Sequence, residues 1–554
     1  MKKISRSFKI AILAVFIGLI GFSFTKLDDV NFEISKSLEI YYSLFKELNI
    51  YYVDQVSAGD LVEKSINQML ETLDPYTVFI PESKMEDYKL MTTGQYGGIG
   101  AMIRKGGDYI VISEPYEGFP AYKAGLKAGD IIKEIDGNSI KGKTTEIISD
   151  ALKGQPNTTL KLLIERPGVE KEIYKEIKRE EIKIDAVPYS GVIKDDIGYI
   201  KLNSFTEKSS SEIKTAFQNL KEKHKIKSLV LDLRGNPGGL LIESVNIVNL
   251  FVNKDQVVVN TKGKVAEWNS SYKTNSQPID AEMPMVVLVN SGSASASEIV
   301  SGALQDLDRA VIVGQRTFGK GLVQTTRPLS YNSKLKVTTA KYYIPSGRCI
   351  QALDYSHRNE DGSVGKVPDS LMTEFKTKNG RKVYDGGGVM PDVKIEPEYL
   401  SKIAVGLISQ NFIFDFATEY ANRVAKIDSA SKFSITDKDY EDFIKFLSDK
   451  KFDYKTQSES KLKELIEIAE KEKYYDHAKD AFEDLKTKIS HDRTKDLEVF
   501  KPEIKELLNE EIVSRYYFQK GRIKFALSND LEVKKAIEIL QNQEEYKKIL
   551  SGTK

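Results

Sequence analysis

Apolar positions along this 554-residue chain fall into several patterns, each predicting a different kind of element. A run from Ile10 to Phe24, broken only by small residues, follows Lys2, Lys3, Arg6 and Lys9 and precedes Asp28 and Asp29. Basic residues before such a run and acidic ones after it direct the downstream chain out of the cytoplasm. The run has the length of a signal-peptide core and falls short of the roughly 20 residues a membrane span wants. No small-x-small cleavage site follows, so residues 1–27 are read as a signal peptide or an uncleaved membrane anchor. The expected location is the cell envelope, periplasmic or anchored facing the extracytoplasmic side.

Residues 28–92 read as a helical segment, with Leu38, Tyr41, Tyr42, Leu44 and Phe45 on one face that predicts packing. Leu73-Asp74-Pro75-Tyr76 interrupts it with a proline turn. Residues 93–168 change to short strands and glycine turns. Residues 169–400 alternate apolar runs of strand length, at Gly198–Leu202, Leu229–Leu233 and Met285–Val289, with helical stretches such as Ser209–Lys221 and Ser293–Gln305. That alternation predicts an α/β core. Residues 401–554 hold one proline, Pro502, and repeat helical stripes: Tyr440, Phe443, Ile444 and Leu447 behind a Thr436–Asp439 capping box, then Leu462, Leu465, Ile466 and Ala469. The stripes read as an all-helical domain packed on itself, with a homodimer interface as the alternative.

Composition narrows the classes. Forty per cent apolar and 29 per cent charged residues describe a globular protein. A formal charge of +1 gives no basic face for a nucleic acid. The single cysteine, Cys349, excludes an intrachain disulfide and a cysteine-rich zinc site. No metal or cofactor is expected.

The stretch 93–168 carries Tyr96-Gly97-Gly98-Ile99-Gly100, then Ala124-Gly125-Leu126-Lys127-Ala128-Gly129-Asp130-Ile131-Ile132, then the hairpin signal Asp136-Gly137. Ile103 stands where a dinucleotide fingerprint needs its third glycine, so the fingerprint is incomplete. The glycines suit a backbone nest for a carboxylate, and an extended peptide fits beside Gly100–Ile103 against a helix carrying Ile147, Ile148, Ala151 and Leu152. The whole run resembles a PDZ domain. That resemblance implies binding of free, apolar protein C-termini, with Gly98, Ile99, Gly100, Ile148 and Leu152 as the tail-binding residues.

Two strand-to-loop junctions carry candidate chemistry. Leu231-Asp232-Leu233-Arg234-Gly235-Asn236-Pro237-Gly238-Gly239 exposes backbone N–H groups before a helix, an anion site or simply a tight turn. Asn290-Ser291-Gly292-Ser293-Ala294-Ser295-Ala296-Ser297-Glu298 opens a helix whose positive end stabilises an oxyanion. Four serines compete there, and the residues alone do not choose among Ser291, Ser293, Ser295 and Ser297. A nucleophilic serine needs a base. His224, His357, His477 and His491 have no companion motif, whereas Lys320, between Gly319 and Gly321 and beside Leu322 and Val323, is placed for burial that lowers its pKa. A surface lysine is the plain alternative.

Leu73-Asp74-Pro75, the PDZ run, Leu231–Gly239, Ser293–Glu298, Gly314 through Gln324 and Gly387-Gly388-Val389-Met390-Pro391-Asp392 together resemble the tail-specific, or C-terminal processing, serine peptidases. The resemblance covers about residues 70–395. It implies a crotonase-like α/β spiral with an inserted PDZ domain, Ser295 as nucleophile, Lys320 as base, Gln324 as its support, and the N–H groups of Gly239 and Ala296 as the oxyanion hole. Tyr76 departs from the family, which carries histidine there. An extended 320–324 segment would hold Lys320 and Gln324 roughly 13 Å apart, so their direct contact requires a turn. Two rival classes stand beside the peptidase: a non-catalytic PDZ adaptor, opposed by the intact Ser295, Lys320 and Gln324, and an esterase, opposed by the tail-binding module.

Overall fold

The computed structural model describes residues 31–359, 361–454, 456–489 and 492–552, so the expected signal or anchor segment lies outside the described residues. Among them no helix is long and apolar enough to cross a membrane. The chain divides into two compact units at Phe79 and Ile80.

In the first unit, helix α1 (31–51) precedes α2 (Ala58–Glu71), whose N-terminus is capped by the Ser57 hydroxyl accepting from the Asp60 N–H. The proline turn forms as expected: Asp74 accepts from the N–H groups of Tyr76 and Thr77, both at 2.8 Å. The α1 stripe is not packed as expected, because Leu38, Tyr42 and Leu44 are 63, 68 and 57 per cent exposed. Two short helices offer too little chain to close a core around such a stripe; Tyr41 stacks on Phe45 and meets the Ser65 hydroxyl at 2.5 Å.

The second unit opens with α3 (Met85–Thr93), ended by Gly94 in the left-handed conformation. A glycine-turn domain follows. Its antiparallel sheet runs in the order Ala101–Gly106, Tyr109–Pro115, Ile131–Ile135, Thr159–Glu165, Ile173–Lys178. Asp136 and Gly137 both take positive φ, as a two-residue hairpin turn demands. Helix α4 (Thr145–Leu152), capped by Thr144, lies on this sheet over a core of Ile99, Ile110, Ile132, Ile148, Leu160 and Leu162. The sheet runs on past residue 168, where Ile173–Lys178 pairs with Thr159–Glu165 along its whole length. The strand escapes notice because its alternating Ile, Lys and Glu bury only one face.

A second sheet contains β1 (Tyr189–Lys194), β2 (Ile197–Lys201), β3 (Ser228–Asp232), β4 (Met285–Val289), β5 (Val311–Gly314) and, after the hairpin β6 (Leu322–Pro328) and β7 (Lys334–Tyr343), β8 (Val393–Lys394). Its order is β1-β2-β3-β4-β5-β8, parallel from β2 onward, with β1 antiparallel at the edge. A parallel sheet is buried on both faces, which explains the unbroken apolar runs in the sequence. Leu229, Leu231, Val287 and Ile312 point to α5 (Ser209–His224), α6 (Leu241–Phe251) and α7 (Ala296–Asp306). Val230, Val286, Leu288 and Val313 point the opposite way.

That second face is covered by the far end of the chain. After α8 (Lys501–Ala526), α9 (Leu531–Gln541) lays Val533, Ala536 and Leu540 on the sheet, and the Met285 N–H donates to the Tyr546 hydroxyl at 3.0 Å. The segment 401–554 holds helices joined by loops and no strand among its described residues, yet its last helices belong to the α/β core. The remainder has a core of its own, where Tyr440, Phe443 and Leu447 pack with Phe416, Ile504 and Leu508. That stripe is therefore spent on internal packing.

Candidate active site

Both loops singled out in the sequence leave the carboxyl ends of neighbouring strands, β3 and β4, where parallel sheets place their sites. They interlock through the backbone. Asn236 accepts at its carbonyl from the Ala294 N–H (3.0 Å) and the Ser297 hydroxyl (2.9 Å), while its amide donates to Leu202. Gly238 presses on the serine turn, and a Cβ there would lie 2.7 Å from the Ala294 carbonyl oxygen and 2.9 Å from the Ala296 nitrogen. With φ at +99° this position is closed to other residues on two counts.

The four serines separate by their surroundings. Ser293 and Ser297 are fully buried, their hydroxyls donating to the carbonyls of Leu233 and Asn236. Ser291 is exposed. Ser295, at φ +56° and ψ −112°, lines a cavity of about 360 Å³. Such a backbone is strained for a residue with a side chain, and it persists only when neighbours hold it. Here they do: the Ser295 N–H donates to the Glu298 carboxylate at 2.8 Å, and its carbonyl accepts from the N–H groups of Glu298 and Ile299 and from the Tyr342 hydroxyl.

Lys320 lines the same cavity, with Gly239 and Gln324. It is half-buried, which removes the plain surface reading. Gln324 sits on β6, directly after a bulge at Val323, and its amide donates to Thr338 on β7 at 3.1 Å. Gly239 bears φ +151° on the loop beside Phe205, and Ala296 begins α7. Every residue expected at the reaction centre thus borders one space or the loop that walls it.

Glu298 is the residue that sequence reasoning passed over. It is wholly buried, and its two oxygens take four donors: the Thr317 hydroxyl (2.5 Å) and Gly319 N–H (2.7 Å) on one, the Lys320 N–H (2.8 Å) and Ser295 N–H (2.8 Å) on the other. One carboxyl group thereby ties the backbone of the serine turn to that of the lysine loop. Burial pushes its pKa up to about 7, against the pull of those hydrogen bonds. The sequence did hold a signal, Ser295-x-x-Glu298 at a helix start.

A second buried group steadies the other loop. Asp232 accepts from the Tyr199 hydroxyl at 2.6 Å and from the Arg234 guanidinium at 2.7 Å; the charges of Arg234 and Lys201 overcome burial and hold its pKa well below the usual range. Arg234 continues to Asp530 at 2.7 Å and to Glu532, so the chain's far end also reaches this loop.

The glycine-turn residues lie away from this cavity. Gly98, Ile99 and Gly100 are buried, with the carbonyls of Ile99 and Gly100 accepting from Ala121 and Tyr116. Ile148 and Leu152 are on the inner face of α4, in the domain core, whereas Ile147 on the same helix is 52 per cent exposed. Helix α3 touches both regions. Glu86 accepts from the Gly97 N–H, and Asp87 pairs with Lys153 just past α4, while Tyr88, Met91 and Thr92 wall the cavity. Among the described residues no group of His, Cys, Asp and Glu is arranged to hold a metal ion.

Comparison with known proteins assigns three segments of the chain to families. The model of peptidase family S41 matches residues 196–357, that of the PDZ domain residues 111–166, and that of a probable PDZ-protease C-terminal helical domain residues 403–540. The carboxy-terminal-processing protease of Bartonella bacilliformis is 40 per cent identical over 59 per cent of this chain and 72 per cent of its own. A probable CtpA-like serine protease of Staphylococcus haemolyticus is 34 per cent identical over 70 and 76 per cent. Among solved structures, the photosystem II D1 C-terminal processing protease is 29 per cent identical, covering 65 per cent of this chain and 93 per cent of that one, with a TM-score of 0.36. With its PDZ domain, α/β core and helical C-terminal region, the chain belongs to peptidase family S41, among the carboxy-terminal-processing serine proteases.

Proposed function

We propose that the chain is an exported endopeptidase that captures free apolar C-terminal tails through its PDZ domain and cuts peptide bonds through an acyl-enzyme on Ser295. The observation that carries this reading is the convergence of Ser295, Lys320 and Gln324 on one cavity beneath the Gly238–Gly239 loop. Neutral Lys320 takes the Ser295 proton as the oxygen attacks the carbonyl, and the N–H groups of Gly239 and Ala296 receive the oxyanion. Lys320 then protonates the leaving amine, and a water that it deprotonates releases the acyl group. Gln324 steadies the lysine. The Glu298 carboxylate holds the backbones of both partners, so nucleophile and base are positioned by one group.

Export rests on the charge pattern around residues 10–24, which makes residues 1–27 a signal or an anchor. The exposed α1 stripe supports a homodimer through helical segments.

The test compares one unfolded protein with an apolar tail, free or amidated, as substrate for the wild type, Ser295→Ala and Lys320→Ala. Cleavage by the wild type alone, faster with the free carboxylate, is expected. Equal cleavage by Ser295→Ala would remove the nucleophile; normal turnover in Lys320→Ala would remove the base. Loss in both variants without tail preference would leave a serine peptidase whose PDZ domain serves another purpose.

A further inference from the structure

A second lysine borders the cavity. In the β6–β7 hairpin Gln324 opposes Thr338 and Thr326 opposes Lys336. Opposed and alternate residues share a face, so Lys336 stands beside Thr326 on the face that carries Gln324, about 7 Å further along the strand. All three border the cavity that holds Ser295.

Most half-sheltered lysines among the described residues answer to a carboxylate: Lys84 pairs with Glu146 and Asp150, Lys133 with Glu165, Lys153 with Asp87. Lys336 is different. Its ammonium contacts the Met91 sulfur at 3.9 Å, and among the described residues no carboxylate comes within ion-pair distance. Burial lowers its pKa, and no acidic neighbour acts to raise it again. Lys334, two residues away, rests over the Tyr88 ring at 5.4 Å. Lys336 therefore borders the cavity beside the Met91 thioether and the Tyr88 ring, with Lys334 over that ring and outside the lining. Withdrawing a cation from water without a counter-charge costs free energy, and an arriving anion recovers it.

We propose that Lys336 is a specificity-determining residue that receives a carboxylate of the bound polypeptide, within about two residues of the segment lying beside Gln324. This deepens, and rests on, the endopeptidase reading above. A polypeptide brings that chemistry in two forms, its terminal α-carboxylate or an aspartate or glutamate side chain, and the experiment separates them.

A fluorogenic peptide amide carries a single Glu, replaced in turn by Gln, at successive positions on both sides of the cut, and a further peptide ends close to the cut in a free carboxylate. With the full-length wild type, one carboxylate-bearing form should show a KM about tenfold below its neutral counterpart; which form it is identifies the source. In Lys336→Met that advantage should vanish with kcat within about twofold, and Lys336→Arg should restore it. Labelling of Ser295 by a serine-reactive probe reports that the variant site is folded. Retention of the advantage in Lys336→Met, or its absence from the wild type, overturns the proposal. So does a fall in kcat with an altered pH profile and no KM difference, which would make Lys336 an electrostatic neighbour of Lys320. Cleavage by Ser295→Ala equal to wild type would instead strike the endopeptidase reading itself.

Discussion

The two sides of the active cavity are built on opposite principles. On the serine side the buried polar groups are satisfied: Glu298 takes four hydrogen bonds, Asn236 and Ser297 are tied to the backbone, and Gly238 leaves no slack. On the hairpin side Lys336 has a sulfur for company and Lys334 an aromatic ring. The contrast teaches where rigidity is needed. Reacting groups must be held to fractions of an ångström, whereas a wall that receives varied side chains gains from groups whose partner arrives with the substrate.

The contrast breaks most severely at Gly238. Gly238→Ala should bring activity below detection in a peptide-cleavage assay, because its Cβ meets backbone, at 2.7 Å, which cannot swing aside. A variant retaining a tenth of wild-type kcat would show the serine side to be softer than drawn. Glu298→Gln comes next. A carboxamide offers one acceptor oxygen, so its NH2 must face two donors, and kcat should fall about 100-fold with KM little changed. The same residue predicts a pH trend. Its folded pKa, about 7, lies above its ordinary 4.5, so the folded state binds that proton more tightly. The resulting stability is complete below about 4.5 and is lost as pH rises through 7, by at most about 3 kcal/mol. Thermal melts should show this slope in the wild type and lack it in Glu298→Gln.

Smaller effects sharpen the other side. Lys334→Gln should raise KM about two- to threefold for the carboxylate-bearing peptides and leave the neutral ones unchanged, since that lysine lies outside the cavity lining. Glu532→Gln should cost about 1 kcal/mol in denaturant unfolding, because Arg234 keeps Asp232 and Asp530, and it should not alter any KM ratio.

This division also governs how far the sequence could be read. Strand runs such as Met285–Val289 and the glycine turn at Asp136-Gly137 announce themselves, since local preference and final environment agree. Ser295 emerged from a recognised pattern; the physical grounds that single it out, two sibling serines buried against carbonyls, belong to the folded loop. Glu298 was visible only as a helix-start residue, because its donors at 317, 319 and 320 arrive from another loop. Ile173–Lys178 was hidden by its charges, and the placement of α9 on β4 depends on a pairing across more than two hundred residues that no local pattern encodes.

The docking of α9 and Tyr546 on the central strands has a consequence in time. A chain emerging from the ribosome presents β2 through β5 long before residues 531–551 exist, so one face of the sheet, with Val230, Val286 and Leu288, stays bare meanwhile. The Arg234 loop likewise awaits Asp530 and Glu532. Folding of the central sheet is therefore completed from the C-terminal side, and truncation before residue 531 should leave that face exposed.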